Sequence, residues 1–265
     1  MSKSNILVPM DFSEQSIIAL GQSYNLARYT GSTITLLHIN DGKEQNAKAK
    51  LDKLAVDVSA ESGLPVDVMI VKGDTYDQVL KTAEKLEAIV IVVGFNPPSK
   101  WVIKLIKKSP CPVLTIKGKN HRNGCENIVL PLDLTKETRE KVVKAIEFAK
   151  FFKSTIRVIS VRLIADRKHE NKLIAYSHQV QRFIKSKNVP CTIKTLEGTD
   201  VAKLVINYAD EENADLIMIM SMGEQTIKEF FVGTTAQKIV SLSEIPVLSI
   251  RPTKRKGTAG SVLGS

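Results

Sequence analysis

The sequence predicts an α/β protein made of two tandem domains, each a parallel sheet covered by helices on both faces. Three observations carry that prediction. The chain repeats itself, short apolar runs alternate with helix-length stretches, and 265 residues exceed one typical domain but suit two. The repeat is the clearest. Asn5-Ile-Leu-Val-Pro-Met-Asp11 matches Asn127-Ile-Val-Leu-Pro-Leu-Asp133 at an offset of 122, which also pairs Ala27 with Ala149 and Ser32-Thr33-Ile34 with Ser154-Thr155-Ile156. Pro65 to Gly73 aligns with Pro190 to Gly198, and Cys111-Pro-Val-Leu-Thr-Ile116 answers Ile245-Pro-Val-Leu-Ser-Ile250. A period of domain length means a duplicated domain and not a solenoid.

The elements follow in order. Ile6-Leu-Val is a short apolar run closed by Pro9 and Asp11, as expected of a strand buried on both faces. Ser13 is placed to cap a helix carrying Ile17, Ile18, Leu20 and Leu26 at nearly helical spacing. Thr33 to Ile39 reads as the next strand, about Glu44 to Ser62 as a polar helix, and Val66 to Val71 as a third strand. A helix over Tyr76 to Leu86, a strongly apolar strand over Ile89 to Val93 and a last strand over Val113 to Ile116 complete the first copy. The second copy gives the same series, with strands near Ile128, Ile156, Thr192, Leu216 and Val247. Crossovers of this length between successive strands imply parallel pairing. The polar, glycine-punctuated stretch before Asn127 is the natural linker, giving domains at 1–118 and 127–252, a linker at 119–126 and a flexible basic tail at 253–265.

Composition narrows the function classes. Three cysteines, Cys111, Cys125 and Cys191, are odd in number and have no metal-site spacing, which argues for a reducing compartment and against a disulfide framework. Cys125, in the polar linker, is the one expected to be exposed and the only candidate for redox sensing. The first residues show no secretory pattern and no apolar run approaches a membrane span, so a cytoplasmic protein without a membrane partner is expected. The formal charge is +10, with Arg251, Lys254, Arg255 and Lys256 near the C-terminus and Lys100, Lys104, Lys107 and Lys108 on one side of a short helix. Aromatic residues make up only 5%, too few for a stacking RNA platform, so nucleic acid is not the expected partner.

The ordered set of motifs resembles universal stress protein domains. Val-Pro-Met-Asp11, the strand ending at Gly73, the apolar strand before Gly94 and the closing Cys-Pro-Val-Leu carry the likeness in copy one. Leu-Pro-Leu-Asp133, Gly198, Ala-Asp-Leu-Ile-Met-Ile219 and Ile-Pro-Val-Leu carry it in copy two. The resemblance implies two five-stranded parallel-sheet domains of the Rossmann-like, adenine-nucleotide α-hydrolase-like type, paired within the chain about a pseudo-twofold axis. It also implies ATP, with magnesium, as the candidate cofactor. Nucleotide-binding members carry glycine, two residues, glycine, nine residues, then glycine with Ser or Thr. Such glycines let backbone approach phosphate, and the last pair opens a helix whose free N–H groups face the anion.

Copy two keeps this marker in part: Gly223, nine residues, then Gly233-Thr234, with Met220 where the first glycine belongs. By the resemblance Asp133 meets the nucleoside end, Val161 and Gly198 line the site, and Gly223, Gly233, Thr234 and Thr235 hold phosphate. Copy one has lost the marker. From Gly94 to Pro112 there are 18 positions against 26 from Met220 to Pro246, and Phe95-Asn-Pro-Pro-Ser99 replaces the loop. Asp11 is therefore expected to serve structure, by accepting nearby backbone N–H groups.

Other chemistries find no footing. There is no GxxxxGK[ST] loop, no HExxH, no paired cysteines and no GxSxG elbow. His38 at the end of the second strand reads as a packed core residue, and Met218, Met220 and Met222 as core filling. The chain is thus expected to bind and report, with no catalytic residues and one adenine nucleotide in domain 2. A slow ATPase and a ligand-free scaffold for protein or anionic partners remain the alternatives.

Overall fold

The computed structural model describes residues 4–40, 42, 46–119, 124–132, 138–163, 170–221 and 233–252. The first half runs β1 (Asn5–Pro9), α1 (Glu14–Thr30), β2 (Thr33–Ile39), α2 (Ala47–Ser62), β3 (Val66–Val71), α3 (Thr75–Lys85), β4 (Val90–Gly94), α4 (Lys100–Lys108) and β5 (Val113–Ile116). The second half repeats it as β6 (Asn127–Leu132), α5 (Thr138–Phe152), β7 (Thr155–Leu163), α6 (Glu170–Lys185), β8 (Cys191–Gly198), α7 (Val201–Glu211), β9 (Leu216–Met220), α8 (Gly233–Leu242) and β10 (Val247–Ile250).

All ten strands join one sheet, in the order β3-β2-β1-β4-β5-β10-β9-β6-β7-β8. Within each half every pairing is parallel, and β5 meets β10 antiparallel with Leu114 opposite Leu248. The order therefore reads the same from either edge, which is the expected pseudo-twofold pairing. Helices α1, α2, α5 and α6 cover one face, packing Ala19, Leu20, Leu51, Val142 and Ile146 onto alternate strand residues such as Ile6, Val8 and Met218. Helices α3, α4, α7 and α8 cover the other, with Val79, Leu105, Val205 and Ile239 against Leu7, Ile91 and Ile217. Burial on both faces is why the strands read as unbroken apolar runs.

Local chemistry sets the ends of α1. The Ser13 side chain accepts from the Ser16 N–H, and Gly31 closes the helix in the left-handed region at φ 66°. Its buried stripe is Ala19, Leu20, Ser23, Leu26 and Ala27, while Ile17 is exposed. The residue after each central strand reaches across the seam. Lys117 donates to the Leu242 carbonyl at the end of α8 (3.4 Å) and pairs with Glu244 (2.7 Å). Arg251, its counterpart in the repeat, donates to the carbonyls of Lys108 (2.9 Å) and Ser109 (3.3 Å) at the end of α4. Each half thus caps a helix of the other.

Cys125 differs from its expected exposure. All three cysteines are buried, and the Ser154 hydroxyl donates to the Cys125 carbonyl. Cys125 lies two residues before β6, where its carbonyl is already held by Ser154. Burial first, then the Asp215 carboxylate, pushes the Cys125 thiol up to about 12, which leaves no reactive thiolate at neutral pH.

Candidate functional site

In each half the strand order reverses beside the first strand, so a crevice opens outside the carboxyl ends of β1 and β4, and of β6 and β9. The two halves treat it differently. In the first, the backbone of Gly94 lies against the first turn of α1. A Cβ there would fall inside the carbonyl oxygen of Gln15 and 3.0 Å from the N of Ser16. Phe95 is buried directly after it, and Met10 fills the end of β1. Asp11 is spent on local structure, its Oδ1 accepting from the Ser13 N–H (2.9 Å) and hydroxyl (2.5 Å). Desolvation works to raise this carboxyl, but hydrogen bonds, those from Ser13 foremost, outweigh it and hold it below the ordinary carboxylate range. His38 is a core residue as expected, buried, its Nδ1 2.8 Å from the Met10 carbonyl and its ring 5.1 Å from Phe12.

In the second half Met220 stands where Gly94 stands in the first, and its side chain is buried in the core with Met218. Its bulk points into the layer beneath α5. Asp133 and Gly223, the expected nucleoside and loop residues, lie outside the described residues, as does Met222. The sheet fixes where they attach: Asp133 directly follows β6, and Gly223 comes three residues after the end of β9, the strand hydrogen-bonded to it.

The remaining expected residues lie on β7, β8 and α8. Val161 is buried on β7, on the face that carries α7 and α8. Gly198 ends the neighbouring β8, where a Cβ would come 2.8 Å from the Leu204 side chain of α7. Gly233 and Thr234 open α8, and Thr235 lies partly buried in its first turn, which holds no acidic residue. A helix start of this kind presents unpaired backbone N–H groups and a positive dipole end.

Two cations near the site escape a reading by motif. Lys238, four residues after Thr234 and so on the same side of α8, comes 3.7 Å from Asp200. Asp200 is itself the cap of α7, accepting from the N–H groups of Ala202 (3.1 Å) and Lys203 (3.3 Å). The Lys203 N–H is the largest influence holding the Asp200 carboxyl below its ordinary range, with Lys238 adding to it. Lys141 of α5 is 3% exposed and donates to the carbonyl of Pro131, two residues before Asp133. Its counterpart Ala19 is small and apolar, and that contrast was the available signal. Among the described residues no three His, Cys, Asp or Glu side chains gather as a metal site, and no helix is long and apolar enough to cross a membrane.

A duplicated, doubly wound α/β protein with a crevice at each switch point is the class that this architecture defines. The sequence model of the universal stress protein family matches residues 3–117 and again 124–251. The chain belongs to that family. A universal stress protein of Methanocaldococcus jannaschii is 24% identical over 153 residues, covering 52% of this chain and 89% of that protein. Among solved structures, a universal stress protein from Archaeoglobus fulgidus aligns over 96% of this chain and 100% of its own, with 18% identity and a TM-score of 0.73. A functionally unknown protein from Pseudomonas aeruginosa gives the same TM-score of 0.73 at 21% identity, covering 95% of this chain and 93% of that one. At these identities the structural matches speak for the fold.

Proposed function

We propose that this chain is a non-catalytic binding protein of the stress response, taking one adenine nucleotide in its second half while the first serves as scaffold. The asymmetry of the two crevices is the observation that supports the reading. The first crevice is closed by the contact of Gly94 with Gln15 and by buried Phe95, whereas the second is bordered by the glycine-threonine start of α8. In this reading Asp133 and Val161 meet the nucleoside end and Gly198 leaves room beside them. Gly223, Gly233, Thr234 and Thr235 hold phosphate through backbone N–H and hydroxyl groups. Lys238 supplies a cation one turn along α8, exchanging its loose contact with Asp200 for a phosphate oxygen. ATP with magnesium fits this donor set, since α8 offers N–H groups and no carboxylate in its first turn.

The test is isothermal titration with ATP and magnesium on the parent and on Gly233→Val. One site per chain in the parent, lost in the variant, is the expected result. No heat and no thermal stabilisation at millimolar ATP would retire the nucleotide reading.

A further inference from the structure

The excess charge of the chain is confined to two segments. Residues 88–125 and 245–265 together hold eleven Lys and Arg and no Asp or Glu, while the whole chain has 38 basic and 28 acidic residues. Everything outside these segments is therefore close to neutral. Both segments run through the central strands β5 and β10.

Part of this charge is neutralised, Lys117 by Glu244 (2.7 Å) and Lys119 by Glu14 (3.1 Å). Helix α4 is different. Val102, Leu105 and Ile106 face the sheet, and Lys100, Lys104, Lys107 and Lys108 are exposed on the opposite side. At 100° per residue those four fall within about a quarter-turn, along roughly 12 Å of helix. Lys100 and Lys107 have no ion-pair partner among the described residues, and Lys104 lies 3.8 Å above the Tyr76 ring of α3. The stripe continues at its C-terminal end into Arg251, docked on the Lys108 and Ser109 carbonyls, and Lys254, Arg255 and Lys256 follow Arg251 in the sequence.

We propose that the lysine face of α4 is a docking surface for the phosphate backbone of duplex nucleic acid, bound without regard to sequence. A linear polyanion suits it better than a membrane. The apolar side of α4 is occupied by the core and cannot insert, and the adjoining α3 exposes Asp77 and Glu84, which a flat anionic surface would meet as well. A duplex suits it better than a single strand, because Trp101 is packed against the core and offers no stacking platform. Lysines act as point charges on phosphate and read no bases, so the contact is a positioning one. The scarcity of aromatics argues against a stacking RNA site and leaves backbone binding untouched.

The test is fluorescence anisotropy with a labelled random-sequence DNA duplex of about 25 base pairs, titrated with the full chain at several salt concentrations. With each lysine of α4 neutralising one phosphate, affinity falls about 150-fold between 50 and 200 mM salt. Lys100→Gln, Lys104→Gln and Lys107→Gln combined should weaken binding at low salt and flatten the log–log salt slope by about 2.7, with an unchanged unfolding midpoint. Three results would overturn the proposal: no binding at 50 mM salt, a triple variant with the parent's slope, or tighter binding to phosphatidylserine vesicles or to polyglutamate than to the duplex.

Discussion

Replacing Gly94 by alanine should unfold this protein several degrees earlier, and the reason is purely steric. The Gly94 backbone does not occupy the left-handed region, so alanine meets no conformational penalty there. With open space the change would stabilise by about 0.4–1 kcal/mol through the unfolded chain. Space is what is missing. The added Cβ would overlap the Gln15 carbonyl and approach the Ser16 N to 3.0 Å, and both are backbone atoms that no rotamer change can move. Neither side is free to yield. The first turn of α1 is pinned by the Ser13 cap, and its inner residues Ala19 and Ala27 are fully buried. On the other side Phe95 is fastened to β5 by its N–H to the Ile116 carbonyl (3.0 Å). Overpacking costs typically 1–3 kcal/mol, and a backbone clash lies at or above the top of that range. At roughly 2–4 °C per kcal/mol for a chain of this size, about 3 kcal/mol lowers the midpoint by about 6–12 °C. Thermal and urea unfolding followed by circular dichroism would measure it. Gly31→Ala is the control, since Gly31 has φ 66° and nothing within 4 Å of an added Cβ. Its cost is conformational only, about 1–2 kcal/mol. A Gly94→Ala loss below 1 kcal/mol, or below that of Gly31→Ala, would refute the steric account of the closed crevice.

Further outcomes follow from the buried groups and the seam. Native protein should leave Cys111, Cys125 and Cys191 unmodified by a thiol reagent over minutes and expose all three in denaturant, because each is buried. Rapid native labelling of Cys125 would contradict its placement. Stability should fall on the alkaline side: burial raises the thiols of Cys111 and Cys191 from 9.0 to about 11, that of Cys125 from 9.0 to about 12, and the Tyr24 hydroxyl from 10.0 to about 12. A raised folded pKa gives stability that is complete below the unfolded value, so the loss begins near pH 9 and runs to about pH 12. Cys125→Ala should shallow that slope, and an unchanged slope would exclude this thiol. Lys117→Ala removes a helix-end cation and a surface ion pair, so about 1 kcal/mol should go, or roughly 2–4 °C, measured by calorimetry. A midpoint unmoved within error would show that the cross-seam cap adds nothing.

Much of the fold was legible because it is written in apolar runs. β3 and β5 fall on the expected residues, and the 122-residue offset carries β1 onto β6 and β2 onto β7. The shorter link from β4 to α4 than from β9 to α8 was legible as missing length. The geometry that seals the first crevice was not, since it depends on how close α1 comes to β4. Lys141 and Lys238 belong to no sequence motif, for a related reason. A lysine read singly is a surface charge, and only the packing shows one buried under the end of β6 and the other beside the cap of α7. Cys125 was misplaced because polarity of a linker says nothing about its last residues, which here are already anchored by Ser154 and by Asp215 accepting from the N–H groups of Glu126 and Asn127.

The seam explains how two copies could diverge so far in one chain. Each half alone would end its sheet on a four-residue strand, β5 or β10, with an unpaired edge. Pairing the two edges hides both, and linkage in one chain keeps the partners at high effective concentration. The contacts of the seam involve neither Gly94 nor the start of α8, so change at one crevice leaves the pairing of the halves in place. The same seam ties the candidate site of the second half to the far half. Helix α8 begins at Gly233 in the candidate phosphate site and ends at Leu242 under the Lys117 cap, ten residues or about 15 Å away. A ligand that draws on the N-terminus of α8 therefore pulls on a helix whose other end is held by domain 1. If the second half binds a nucleotide as proposed, α8 and its Lys117 cap connect that site to the first half.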